Sequence, residues 1–385
     1  MIAAIYVSLH VLCALSLFLF CYLQSKMKDT HYWKLAVFPI VMFTIVEGLR
    51  WGREIDWNLY FYTFNDFKYG MQDDFEPLFT LIWGLFAKSG LPYWSVISFS
   101  SFLFIVSTFY LFRPYKKYLP IAIPFFIFFS YVNAENLIRW YTGLSFVFFA
   151  VRNVLDGKKV KALVFFICAV GCHYAMILLF LLYFLMRLPK PIMSFKAMVV
   201  VNMLLMIAFD PQVLGNLAGI FDYLVLLSAR FSGYTADAKG WLTGASQASS
   251  IERRLPIVAI VMTIPLFIFA KCGDTEARRN PSIVPLYNLF VIGLFVKSMS
   301  SGLELFIRFS YFFEPFYGYF CALTFEQLRK RKNVQNVMLL VICGAYFLRK
   351  VLGFCWPFEI DQCMLFVWND QITPNSMIKF LKMRS

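Results

Sequence analysis

Charge is what this sequence has least of. Only 15% of its 385 residues are Asp, Glu, Lys or Arg, and 60% are hydrophobic, against roughly 25% and 45–50% in soluble domains. With a mean hydropathy of +0.67, no stretch reads as a soluble domain, and a single integral membrane domain over residues 1–385 is expected. Histidine is scarce, at 3 residues. There is no Walker-type phosphate loop and no glycine-rich nucleotide fingerprint, which excludes ATP-driven chemistry or a soluble nucleotide-sugar domain of the familiar kinds. The 9 cysteines lack the paired spacing of a zinc site. Cys168 and Cys172 lie a helical turn apart in an apolar run and read as packing residues, whereas Cys355 and Cys363 could bridge if the tail is external. The first apolar run has no basic leader and no small-residue cleavage site, so it reads as a retained span.

What charge there is carries a pattern. The net +14 comes from Lys and Arg in short loops between apolar runs, as the positive-inside rule requires. The basic residues form no continuous face, so no nucleic-acid partner is expected. A span needs about 20 apolar residues. On that basis residues 2–23, 35–49, 93–112, 119–132, 137–151, 162–186, 197–209, 213–227, 255–270, 285–299, 303–323 and 334–352 are candidate crossings, ten to twelve in total. The basic groups Lys26–Lys34, Arg113–Lys117, Arg152–Lys161, 271–279 and 329–332 are then cytoplasmic. Loops 50–90, 187–196 and 230–254 and the tail 353–385 are external. The short apolar run 77–87 reads as a re-entrant or interfacial helix.

One polar stretch stands apart, from Glu47 to Glu76. Between Arg50 and Glu76 it collects Arg50, Arg53 and Lys68 with Glu54, Asp56, Asp66, Asp73, Asp74 and Glu76, and threads Trp57, Tyr60, Phe61, Tyr62 and Phe64 among them. It is either a wet external loop or the binding surface for a charged, sugar-like substrate. The topology brings Arg50, Arg53, Glu54, Asp56, Glu76, Asn133, Glu135, Asn136, Arg139 and Arg308 to the external face, with His173 deeper in its span. Ionisable side chains inside spans cost roughly 2.5–3.5 kcal/mol each and by default mark function. Arginine presents two donors at once to a diphosphate and stays charged at physiological pH. Arg139 and Arg308 either serve that purpose, pair locally with Glu135 or Glu304, or simply snorkel to the membrane surface. His173 is either a base near neutral pH or a hydrogen-bonded packing residue; His10 and His31 have no such context. Glu54-Ile55-Asp56 has the acid-x-acid form of a metal site, but Arg53 beside it competes for the carboxylates, and no metal site or cofactor is assigned.

The ordered set Arg50 to Tyr60, Glu76-Pro77-Leu78-Phe79, Asn136-Leu137-Ile138-Arg139, Cys172-His173-Tyr174-Ala175 and Arg308-Phe309-Ser310-Tyr311-Phe312 resembles the EpsG-like family of Wzy-type exopolysaccharide and O-antigen polymerases. The resemblance runs through nearly the whole chain. It departs where Glu54-Ile55 replaces the usual Gly-Thr, where Trp57 replaces Tyr, and where Trp140 replaces Gln after Arg139. The first change bears on the loop backbone before Asp56, because glycine adopts conformations that other residues avoid. The resemblance implies an all-α, GT-C-like polytopic protein of the bacterial inner membrane, with short re-entrant or interfacial helices outside. It implies joining of undecaprenyl-diphosphate-linked repeat units at the outer face, with the lipid diphosphate as leaving group. A chain-length regulator and a flippase of the same pathway are implied partners. The implied catalytic residues are Asp56, Glu76, His173, Arg139 and Arg308, with Arg50, Arg53, Tyr60, Asn136 and Tyr311 contacting substrate. Arg50, Asp56, Glu76, Arg139 and Arg308 are expected around one externally open cavity. A lipid-linked sugar transporter, a single-sugar transferase using a polyprenyl phosphate donor, and an acyltransferase are the alternatives.

Overall fold

The computed structural model describes residues 2–54, 56–70, 75–209, 256–300, 304–330, 333–356 and 364–374. Within them the chain is all-α, with one isolated antiparallel bridge between Arg50 and Phe366. Its contacts divide into two units, Met1–Phe184 with Gly344–Ser385, and Leu185–Cys343. The expected span 213–227, the loop 230–254, Asp73, Asp74 and Cys363 lie outside the described residues.

The first unit opens with α1 (Ile2–Lys26), whose 25 residues reach about 37 Å at 1.5 Å per residue, enough for a hydrocarbon core of roughly 30 Å. Then come α2 (Tyr32–Gly48), α3 (Trp57–Lys68), α4 (Pro77–Lys88), α5 (Tyr93–Phe112), α6 (Leu119–Asn136) and α7 (Ile138–Leu155). α5 and α6 join through the basic turn Arg113–Tyr118. Stretches Ile2–Lys26, Tyr93–Asn136, Pro281–Met299 and Val334–Cys355 are long and apolar enough to cross a membrane by length and composition. The protein is a polytopic membrane protein. The polar stretch contains the helix α3, whose buried Trp57, Tyr60, Phe64 and Phe67 pack on Phe79 and Trp83 of α4 and Tyr93 of α5. Most of its aromatics therefore build a core.

The continuous span expected over 162–186 is corrected. α8 (Lys159–Cys172) stops at His173, and a 3-10 stretch, Tyr174–Leu181, follows with α9 (Leu182–Leu185). Phe166 and Phe180 have ring centroids 5.3 Å apart; fourteen residues along one straight helix would separate them by about 21 Å. The chain doubles back at His173. Two local causes are visible. The Tyr174 N–H donates to the Glu76 carboxylate (3.0 Å) instead of to a helical carbonyl. Gly171 meanwhile lets α4 approach so closely that an added Cβ would lie 2.9 Å from Leu78 Cβ.

The second unit holds α10 (Phe195–Ala208), α11 (Pro256–Arg279), α12 (Val284–Met299), α13 (Glu304–Tyr311) and α14 (Glu314–Arg329); α15 (Val334–Cys355) straddles the boundary. Residues 271–279, expected as a loop, continue α11. The single span expected over 303–323 is broken at Phe312–Phe313, ahead of Pro315 in the first turn of α14, where proline is best tolerated. Asn288 near the start of α12 accepts from the Ile192 N–H (3.0 Å) and donates to the Lys190 carbonyl (3.3 Å). Lys190 and Arg278 line one open cavity. The loop around Lys190 and the end of α11 thus share one end of this unit, where the sequence reading put them on opposite membrane faces.

Candidate functional site

Two groups of ionisable side chains form within the first unit, one half-open and one closed. The half-open group forms where three chain breaks meet. Glu76 is the N-cap of α4, with extended backbone (φ −63°, ψ 147°) and Pro77 behind it. Its carboxylate does not cap its own helix. Oε2 accepts from Arg139 Nη1 at 2.9 Å and Oε1 accepts from the Tyr174 N–H at 3.0 Å. Arg139 sits in the first turn of α7, just past the α6/α7 break at Leu137 (φ −96°, ψ 55°). Its guanidinium lies 4.5 Å from the Phe75 ring centroid, and its side chain stays 26% exposed while that of Glu76 is 6% exposed. An arginine anchored on one edge and open on another can still meet a ligand.

His173 stands at the tip of the hairpin, with Nδ1 3.9 Å from Glu76 Oε1. The Ala175 N–H donates to Nδ1 (3.3 Å). In the neutral ring the proton is then on Nε2, so the imidazole offers a donor there. Trp140 sets its ring edge-on to His173 at 4.9 Å. Tyr60 reaches the same place from α3, its hydroxyl accepting from the Arg139 N–H at 3.4 Å. Asn136, at the end of α6, accepts the Asp56 N–H through Oδ1 (3.0 Å). Glu76, Arg139, His173, Tyr60, Asn136 and Asp56 are thereby connected around the α6/α7 break.

Arg50 and Arg53 belong to the closed group instead. Arg53 is 0% exposed, and Nη1 donates to Glu135 Oε1 at 2.7 Å, with Glu47 Oε2 4.0 Å away. Arg50, 3% exposed, donates to the carbonyls of Glu47 and Glu135 and to Ser101 Oγ. His10 completes the group, with Nε2 3.6 Å from Glu47 Oε1. Burial pulls the pKa of both guanidiniums down. At Arg50 that effect prevails, whereas at Arg53 the Glu135, Tyr6 and Glu47 charges outweigh it and the net shift is upward. The adjoining cavity, lined by Glu47, Arg50, Ser101 and Glu135, measures about 20 Å³, the space of one water. A sugar has no room there.

The loop joining the groups is held tightly. Gly52 has φ +63° and packs against Pro374, so a side chain there would be both strained and blocked. Glu54, at the position where glycine is usual, keeps the left-handed backbone (φ 64°); Ile55 lies outside the described residues. Arg308 and Tyr311 are on α13 in the second unit, both half-buried. Among the described residues no group of three or more His, Cys, Asp or Glu is arranged to hold a metal ion. Sequence reasoning missed His10, Tyr6 and Phe366. The spacing of Tyr6 and His10, one turn apart on α1, was the signal for two of them; the tail offered none.

No curated protein and no solved structure matches the chain. The model of the EpsG family matches residues 33–360. That match covers most of the chain, which belongs to the EpsG family of Wzy-like polymerases, and a polysaccharide polymerase-like function follows in general terms.

Proposed function

We propose that this EpsG-family protein joins oligosaccharide repeat units carried on undecaprenyl diphosphate, at the outer face of the bacterial inner membrane, and that the half-open group is its reaction centre. The observation that supports this reading is the meeting of Glu76, Arg139 and His173, from α4, α7 and the hairpin tip, with Arg139 left partly exposed.

The acceptor hydroxyl attacks the anomeric carbon of the donor, and the bond to the lipid diphosphate breaks through an oxocarbenium-like state. Glu76 takes the hydroxyl proton. Its neutralisation loosens the ion pair with Arg139, whose charge is then available to the departing diphosphate as negative charge builds there. His173 steadies the hydroxyl or a sugar oxygen through Nε2–H, and the partly buried Phe75 beside Arg139 offers a ring face to a sugar, while Tyr60 and Trp140 back the site from the core. Asp56 and Asn136 order the rim. Arg50 and Arg53 act from behind, fixing the loop. For Arg308 and Tyr311, which lie in the second unit, the roles that the resemblance implies stand as a separate proposal, and Arg308→Lys tests it independently. A flippase supplying the lipid-linked units and a chain-length regulator are the expected partners.

Deletion of the gene, with surface glycan and lipid-linked intermediates separated side by side, tests the reaction class. A polymerase leaves single lipid-linked units and no long chains. Loss of the single unit itself would point to an earlier transferase, and its confinement to the inner leaflet would point to a transporter.

A further inference from the structure

The polar loop lies inside the family match, yet what grips it lies outside. The match runs from residue 33 to residue 360; Tyr6 precedes it and the strap 364–374 follows it. The Arg53 guanidinium lies against both flanks, 4.9 Å from the Tyr6 ring centroid and 4.5 Å from that of Phe366, two rings that themselves meet at 6.2 Å. The strap also pairs with the loop through its backbone. The Leu365 carbonyl accepts from the Trp51 N–H (3.0 Å) and from Arg53 Nε (3.2 Å), and the Val367 N–H donates to the Leu49 carbonyl (2.9 Å). A plain apolar cover would need neither the register nor two ring faces on a cation, an arrangement that favours guanidinium over other side chains.

What Arg53 holds in turn is the α6/α7 break. Its partner Glu135 (2.7 Å) is followed by Asn136, which takes the Asp56 N–H (3.0 Å), and Arg139 comes four residues after Glu135. We infer that Phe366 and Tyr6 are positioning residues: the strap and the start of α1 clamp Arg53, and through Glu135 set the placement of Asp56 and Arg139. The inference rests on the reaction centre proposed above. It assigns a part in the reaction to chain segments that the family match does not include.

The test uses the full chain in detergent micelles, with its cysteines replaced and Glu54→Cys as the only thiol, labelled with a fluorescent maleimide. Phe366→Leu keeps an apolar cover but removes the ring face, so the labelling rate should rise several-fold, and Phe366→Trp should restore it. In cells, Phe366→Leu should shorten or abolish long glycan at an unchanged membrane level, and Phe366→Trp should rescue it. An unchanged labelling rate in Phe366→Leu overturns the clamp. A raised rate with full-length glycan overturns its part in the reaction. Should the wild-type chain prove not to make polymer, the labelling comparison still decides the clamp, and only the proposed function falls.

Discussion

The half-open and closed groups are built from the same chemistry and differ in what surrounds it. Each sets arginine against glutamate with a histidine close by: Arg139, Glu76 and His173 in one, Arg53, Glu135, Glu47 and His10 in the other. In the closed group the guanidinium has two aromatic rings against it and no exposure. In the half-open group one ring lies against it and a quarter of the side chain is exposed. A buried pair that is fully enclosed cannot trade partners during a reaction, since breaking it leaves an uncompensated charge. A half-open pair can. Residue type alone therefore does not separate the arginines that hold from the arginine that reacts; enclosure does.

The comparison breaks most visibly at Glu76. Glu76→Gln keeps the shape and the Tyr174 bond but removes the charge and the base. It should cut polymer formation by about 10²–10³, the scale of losing one preorganised group, with normal membrane abundance on an immunoblot. Wild-type polymer from Glu76→Gln at that abundance would erase the distinction between the groups. Next in size, Arg53→Met leaves Glu135 unpaired in the interior. A cost of about 3–5 kcal/mol is expected, read as a lower melting temperature in detergent and less protein in the membrane. Arg53→Met combined with Glu135→Leu should recover much of that loss, because neither charge is then stranded.

How far these two groups could be read from the sequence follows from the same physics. Arg139, Glu76 and His173 were legible because charge in an apolar chain needs a reason, and the family's motifs ran through them in order. The membrane class and the bounds of α5 followed from apolar length. Enclosure was not legible, since it depends on Phe366 and Tyr6, which lie far from Arg53 in the chain. The hairpin at His173 was hidden for a different reason: residues 162–186 are apolar throughout, and composition cannot tell one crossing from two half-crossings. The turn is set by Glu76 and Gly171, neither of which alters hydropathy.

Smaller effects sharpen the contrast at its edges. Glu54 carries a left-handed backbone (φ 64°) that costs a non-glycine residue roughly 1–2 kcal/mol. Glu54→Gly should therefore leave polymer length unchanged and raise the melting temperature slightly, while Glu54→Val should lower both. At the far end of the unit, Lys116 pairs with Asp29 at 2.8 Å on an exposed loop, and that contact holds the Asp29 carboxyl below its usual range. Its contribution is present above the ordinary carboxylate pKa and is lost as pH falls through the lowered one. Exposed pairs contribute little, so Lys116→Ala should be silent in both melting and glycan length at neutral pH.

Arg139→Lys tests the central claim most directly, in a complementation gel of surface glycan with a matched membrane immunoblot and a measure of lipid-linked single units. Lysine keeps the charge and loses the fork of donors. If Arg139 meets the departing diphosphate, long chains vanish, single units accumulate and the protein stays at wild-type abundance. Wild-type chain lengths from Arg139→Lys would mean that this arginine supplies only charge or only holds the fold, and the half-open group would not be the reaction centre.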